Sequence, residues 1–324
     1  MNHPNSGQKR RVRSYEDVGY KQFWVGKQKE YLHQVESHIL KKALHPGGQL
    51  VVDVGCGYGR FAPLYLEQFQ CTVMVDYSMS ILKEAAAAHG HRKNVLFVAA
   101  DTGKLPLRDS VSDACLAIRV IHHLDDLDML FSEMHRVLAP AGRFFYNYTN
   151  KRYVREIAKF FLGLNHHRPF VREHLEVDPM LFHTHPDCFQ SLHEKYGFRE
   201  TKTWNAGFSH KLCGWVPSFL VPPVALEMFL LRLTGWMKLL PLMYVLCTTR
   251  KDAPSAEPLS LTRITDCLAC PRCGAFPLSE EPQGLRCSPC GASYPVHDRI
   301  YDFRLPDETS LETVFDERRT GSEP

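Results

Sequence analysis

Two groups of residues in this 324-residue chain have the types and spacing to do chemistry. The first is "LVVDVGCGYGR", residues 50–60, where Asp53 precedes three glycines, Gly55, Gly57 and Gly59. A glycine-rich turn after a β-prone run lets backbone N–H groups approach a ligand closely. A dinucleotide fingerprint needs glycines at its first, third and sixth positions. Counted from Gly55, the sixth position is Arg60, and the third glycine comes one residue early. Downstream, Asp76 and Asp101 end the β-prone runs "CTVMVD" and "VLFVAAD". Asp76 stands where a carboxylate accepts from two ribose hydroxyls, and Asp101 where one accepts from an adenine amine. Three acids would repel a dinucleotide's phosphates, so the set suits a cofactor with a ribose, an adenine and a cationic centre.

The second group is Cys270-x2-Cys273 and Cys287-x2-Cys290, two pairs separated by 13 residues. Four thiolates at this spacing suit tetrahedral zinc. Gly274 and Gly291 follow the pairs, where knuckle turns need freedom in φ. A module this small has little core, so metal binding would supply much of its folding free energy. Cys267-x2-Cys270 is a competing pair.

The elements that must position these groups are legible in the periodicities. Residues 28–44 carry apolar residues at helical spacing, and "QLVVDVG" reads as a buried strand. "RFAPLYLEQF" reads as a helix, "CTVMVD" as a second strand, and "SMSILKEAAAAHG" as a helix. "VLFVAAD", "SDACLAIRV" and "GRFFYNYT" supply strands three to five, with a helix over "LDDLDMLFSEMHRVLA" before the last. "RETKTWNAG" and "LMYVLCTTRK" read as the final two strands. Steady alternation predicts an α/β fold, a Rossmann-like, seven-stranded, doubly wound sheet, with a small C-terminal zinc ribbon. Ligands bind such sheets outside the carboxyl ends of the strands, which puts the glycine turn at the main site.

The motifs "VVDVGCGYGR", "VMVDYS", "AADTGKLPL" and "SDACLAIRVIHHL", followed by "EMHRVLAPAGRFFY", resemble the class I S-adenosylmethionine-dependent methyltransferases of the small-molecule and lipid branch over residues 15–251. The resemblance implies S-adenosyl-L-methionine as cofactor. Asp53, Gly55 and Gly57 would hold its methionine end, Asp76 its ribose, and Asp101 and Thr102 its adenine. Tyr15 and Tyr20 would close over it from the N-terminal segment. The flanks of the cysteine pairs, with "YPVHD", resemble the zinc-ribbon activator subunit of tRNA and release-factor methyltransferases. That family's pairs match Cys270/Cys273 and Cys287/Cys290, and its Gly-Ile-Pro is replaced here by Arg299, Ile300 and Tyr301.

Methyl transfer needs a base only where the acceptor loses its proton on attack. His122 and His123 follow the fourth strand, and His123 is the preferred catalytic candidate. By the family topology, inserts at about 150–185 and 208–241 should roof an acceptor pocket. The second is oily: Phe219, Leu220, Phe229, Leu230, Leu231, Trp236, Met237, Leu239 and Leu240. Such a stretch can serve plain helix packing; its sharper readings are cover for a lipid-like small molecule, which is preferred, and peripheral contact with a membrane surface. Charges and prolines interrupt it, so it leaves no spanning helix. The first insert holds His166, His167, His174, His183 and His185, with Asp187 close by. Pro186 marks a helix start there, so a capping role is preferred to a metal pair.

A net charge of +3 gives no bulk case for nucleic acid, and no segment reads as a basic stripe with exposed aromatics. No Asn-Pro-Pro-Tyr motif for planar amines follows the fourth strand, where Arg119, Val120, Ile121 and His122 stand. A small, lipophilic acceptor is therefore favoured over RNA or a translation protein, the acceptors the ribbon's likeness suggests. A non-catalytic cofactor-binding scaffold ranks last. Scattered cysteines without a disulfide pattern, and no signal peptide, point to the cytoplasm. The organisation expected is a disordered tail over 1–14, the methyltransferase domain over 15–251, a linker over 252–262, the zinc ribbon over 263–306 and a disordered tail over 307–324.

Overall fold

The computed structural model describes residues 10–16, 19–164, 168–207, 224, 226, 227, 229, 237–252, 263–304 and 311–315. Its first elements are β1 (Arg10–Ser14), α1 (Lys27–Leu44), β2 (Gly48–Val54), α2 (Ala62–Tyr65), β3 (Phe69–Asp76) and α3 (Met79–His89). Then come β4 (Val95–Ala99), β5 (Ser112–Ala117), α4 (Leu127–Val137), β6 (Leu138–Thr149) and α5 (Val154–Phe161). A hairpin, β7 (His174–Asp178) and β8 (Leu181–Thr184), leads to α6 (Pro186–Lys195), β9 (Phe198–Ala206) and β10 (Leu242–Thr249).

Branched residues favour the extended chain because they pack on a pleated surface, and the runs that held them form the sheet. Its central order is β4-β3-β2-β5-β6-β10-β9. β2 to β6 run parallel, and β10 returns antiparallel between β6 and β9. The seven strands anticipated from the periodicity are these. Alternation of side chains along β2 divides the core in two. Leu50, Val52 and Val54 face the layer holding α4 and α6, while Val51 faces α1, α2 and α3. Strand order reverses between β2 and β5, and the chain leaves both strands at the same end. That crevice is where a doubly wound sheet receives ligand.

Three features depart from the expectation. The segment after the glycines holds only one turn of helix, α2, opened by Pro63. The histidine-rich insert folds partly as the β7–β8 hairpin, whose turn places Met180 at φ +53°.

The third goes beyond the expectation: the ribbon is joined to the main sheet. Its strands, β11 (Ser279–Glu281), β12 (Gly284–Arg286), β13 (Ser293–His297) and β14 (Ile300–Asp302), continue the main sheet to eleven strands. β14 pairs in parallel with β4, Ile300 opposite Phe97 and Asp302 opposite Ala99. An unpaired strand edge presents a row of unmet N–H and C=O groups, and the ribbon meets those of β4. A bridge between Leu107 and Leu268, with Arg108 N–H donating to the Cys267 carbonyl, fastens its other side.

Within the tails expected to be disordered, Arg10–Ser14 pairs in parallel with β15 (Leu311–Phe315). The linker, residues 253–262, lies outside the described residues, as do His166, His167, Phe219, Leu220, Leu230, Leu231 and Trp236.

Candidate active site

β2 ends in the glycine turn, and the turn shows why its third glycine comes early. Gly55, Gly57 and Gly59 all have positive φ, at 68°, 57° and 78°. A Cβ on Gly55 would stand 2.4 Å from Val120 Cγ2, and one on Gly59 2.8 Å from Met74 Cε. The loop therefore folds down against β3 and the segment after β5, and side chains there would lift it. Gly55 and Cys56 N–H both donate to the Val75 carbonyl, and Gly57 N–H donates to Asp76 Oδ2 at 2.9 Å. Ser78 N–H donates to the other oxygen, Oδ1, at 3.0 Å. Both Asp76 oxygens are oriented by backbone and keep further lone pairs toward the cleft. Burial raises the Asp76 pKa against these hydrogen bonds.

The cleft that results is lined by Gly55, Gly57, Asp76, Asp101, Thr102 and His123, among others, and measures about 890 Å³ out to its mouth. Five of the six residues expected to hold the cofactor line it, and Asp53 does not. Asp53 lies beneath the loop, 4% exposed, accepting from the Tyr65 hydroxyl at 2.6 Å. Burial outweighs that bond and pushes its pKa up to about 7. Its place is under the floor of the site. Glycine floor and oriented acids fit a ribose, an adenine and a cationic centre.

The N-terminal segment crosses the mouth. Tyr15 N–H donates to Ser78 Oγ and Ser80 N–H to Glu16 Oε1, which pins the segment to the start of α3. Tyr15 and Tyr20 line the cleft with ring centroids 4.9 Å apart. The Tyr15 hydroxyl is 2.8 Å from His123 Nε2, and His123 Nδ1 is 2.9 Å from the Met180 carbonyl. A carbonyl only accepts, so Nδ1 carries the proton and Nε2 receives the Tyr15 hydroxyl. Met180 comes from the hairpin turn, and the first insert thus sets the tautomer.

A second cavity, about 870 Å³ out to its mouth, adjoins this pair. Phe23, Trp24, Lys29, His122, Thr149, Leu181 and His183 line it, and it shares Tyr15, Tyr20, Arg119 and His123 with the first. Among the described residues, the first insert contributes Leu181 and His183 to it. His174 instead packs on Phe182 at 4.4 Å between Thr184 and the Leu124 carbonyl. His185 caps α6, its Nδ1 accepting from Asp187 N–H, as its place before Pro186 suggested. Met237 and Phe229, from the oily insert, are exposed.

Sequence reasoning missed the charged group behind the second cavity. Glu36, 1% exposed, accepts from Arg60 and Arg119 at 2.8 Å and from the Tyr244 hydroxyl at 2.6 Å. Burial alone would raise this carboxyl, but Arg119 and Arg60 prevail and hold it down to about 2. Arg60 also stacks on Trp24, 3.4 Å from the ring centroid. The signal was available: Glu36 shares a helix face with Leu32, Val35, Ile39 and Leu40.

In the ribbon, the Sγ atoms of Cys270, Cys273, Cys287 and Cys290 all lie within 4.8 Å of one another. The pairs interleave, with Cys270 3.6 Å from Cys290 and Cys273 3.5 Å from Cys287. Gly274 and Gly291 turn the knuckles at φ 75° and 73°. Thiolates around a tetrahedral metal need about this spacing. Cys267 is fully buried outside the quartet, against the main domain. No helix among the described residues is long and apolar enough to cross a membrane.

Residues 52–146 match the family described as "Methyltransferase domain". The malonyl-[acyl-carrier protein] O-methyltransferase of Marinomonas sp. is 29% identical over 135 residues, covering 41% of this chain and 49% of that protein. The sterol 24-C-methyltransferase of Saccharomyces cerevisiae is 31% identical over 113 residues, 34% of this chain and 30% of that protein. The chain spans half or less of the length of these relatives. A chain from the complex between the Haloferax volcanii Trm112 methyltransferase activator and a putative methyltransferase aligns with a TM-score of 0.51 at 13% identity, covering 73% of this chain and 96% of that one, which shows the fold. Glycine turn, acids and matched residues coincide: residues 52–146 form a methyltransferase domain of the S-adenosylmethionine-dependent kind.

Proposed function

We propose that the chain methylates a small, lipophilic acceptor held in the second cavity, through a hydroxyl or phenol beside Tyr15. One observation carries this reading: Tyr15 and His123 belong to the walls of both cavities, so they stand between donor and acceptor. The relatives named for malonyl-[acyl-carrier protein] and sterols are in keeping with a lipid-like acceptor. In the donor cleft Asp76 would hold the ribose, Asp101 and Thr102 the adenine, and Gly55 and Gly57 the methionine end, with Asp53 acting through the loop above it. S-adenosyl-L-methionine supplies an activated methyl on a sulfonium, so the protein's task is mainly alignment and exclusion of water.

The acceptor hydroxyl donates to the Tyr15 oxygen. As it attacks, its proton passes to Tyr15 while the Tyr15 proton moves to His123 Nε2. The imidazolium that forms keeps its Nδ1–H on the Met180 carbonyl. His123→Asn and Tyr15→Phe should each lower turnover ~100-fold, the usual size of general-base catalysis, as turnover at saturating cofactor would read.

The cysteine quartet would hold zinc in a structural role, four thiolates closing the coordination sphere. A second reading, an RNA or translation-protein acceptor, draws on the likeness of the cysteine module to activator subunits. Incubation with labelled S-adenosylmethionine and separate lipid, small-molecule and RNA extracts decides between them. Label in the lipid or small-molecule extract supports the first reading, and label in RNA alone overturns it.

A further inference from the structure

The end of α5 has no part in either cavity, yet it is built with care. The helix stops on a Schellman turn: Leu164 N–H bonds to the Lys159 carbonyl and Gly163 N–H to that of Phe160, with Gly163 at φ +69°. This fixes a knob whose side chains face water. Phe161, Leu162 and Leu164 are 74%, 71% and 72% exposed, and Phe170 and Val171 join them at 50% and 42%. The rings of Phe160, Phe161 and Phe170 lie 5.7–6.2 Å apart, which ties helix end and following loop into one surface. Val154 N–H donates to the Leu239 carbonyl, so the base of α5 is held by the chain that leads out of the oily insert. A cluster of large exposed apolar side chains is costly in water unless something covers it.

The charges around the knob indicate the cover. Between Lys151 and Arg172 the sequence holds six cations and one acid, in a chain whose net charge is only +3. Glu156, the acid, is engaged by Lys159 and Tyr153. The neighbouring acids are also matched, Glu173 with Lys151 and Asp187 with Arg172. Arg155 and Arg168 are exposed beside the knob. Aliphatic and phenyl side chains at the tip with arginines behind them are the arrangement of an interfacial anchor. The apolar groups enter the acyl boundary while the cations meet anionic headgroups. RNA would instead want aromatic faces laid along a basic groove, and Leu162, Leu164 and Val171 offer no such face.

We propose that the knob formed by the end of α5 and residues 168–172 docks the protein on an anionic lipid bilayer. Binding needs no methyl transfer, so its failure and that of the proposed reaction are separable. The test is co-sedimentation of the full chain with phosphatidylcholine vesicles, with and without phosphatidylglycerol, and with a transfer-RNA pool in parallel. The anionic vesicles should retain the protein and release it as salt rises, whereas pure phosphatidylcholine should not. Leu162→Asp and Phe161→Asp should each weaken retention ~tenfold or more by removing buried apolar area, with the unfolding temperature and cofactor affinity unchanged. Arg155→Glu with Arg168→Glu should abolish the dependence on phosphatidylglycerol. Retention by RNA instead of vesicles overturns the proposal, as does retention that the Asp variants leave intact. A stable dimer in solution, or a fall in unfolding temperature in Leu162→Asp, also overturns it, because the knob is then covered by protein.

Discussion

Asp53 and Asp76 are the same residue type 23 positions apart, and the fold gives them opposite work. Asp76 is held open to the cleft by backbone donors on both oxygens, whereas Asp53 is shut under the loop with Tyr65. Asp76→Ala should weaken cofactor binding ~100-fold or more, the loss of two hydrogen bonds to a charged acceptor, as calorimetric titration would read. Asp53 titrates near 7 in the fold, above the 3.8 of an unhindered carboxyl. A raised carboxyl pKa means the fold binds more protons than the unfolded chain, so it favours folding below 3.8 and that contribution is lost as pH climbs to 7. The stability difference between Asp53→Asn and wild type should therefore shift in favour of the variant over that window, as denaturation at several pH values would register. A cationic ligand above Asp53 should also expel its proton, and cofactor binding below pH 7 should release protons to the buffer. Both acids could be read from the sequence, Asp53 because it precedes the glycines and Asp76 because it ends a strand. Which of them faces ligand could not, since that depends on a tyrosine twelve residues away.

At the scale of elements, the parallel strands and their helices were legible because periods of 2 and 3.6 survive in the sequence. The β7–β8 hairpin was not, since histidines and acids mask its alternation and its turn relies on Met180 in the left-handed region. With it was lost the partner of His123. The ribbon was recognised as a module, while its attachment was hidden, because strand pairing between distant segments leaves no local mark. Arg299, which replaces a glycine of the resembling family, shows how the attachment is made. It sits at φ +70° in the two-residue turn between β13 and β14, and its guanidinium donates to the Gly90 carbonyl at the end of α3. A left-handed arginine costs about 1–2 kcal/mol, offset by about 1 kcal/mol from that bond. Arg299→Ala loses the bond and keeps the strain, whereas Arg299→Gly loses both. Chemical denaturation should find the alanine variant less stable than the glycine variant by about 1 kcal/mol.

At the scale of the whole molecule, one sheet runs from the cysteine quartet to the cofactor cleft. Phe303 N–H donates to the Ala99 carbonyl, two residues from Asp101, and Arg304 reaches the carbonyl of Tyr77, beside Asp76. Removing metal with a chelator should therefore raise amide exchange in residues 95–101 as well as in the ribbon. Unchanged exchange in 95–101 would mean that β14 stays docked without the metal. Among the described residues the other border of the sheet is β9, which carries Arg199, Glu200 and Lys202 on its exposed stretch, charges that discourage further strand addition.

β4 is bonded on one side to β3 and on the other to β14. A separate polypeptide of the ribbon's shape thus finds no vacancy there, and its addition to the intact protein should change neither turnover nor sedimentation. The chain is its own subunit at that position. Cutting between residues 252 and 263 would turn an internal joint into a two-component equilibrium that dilution can dissolve.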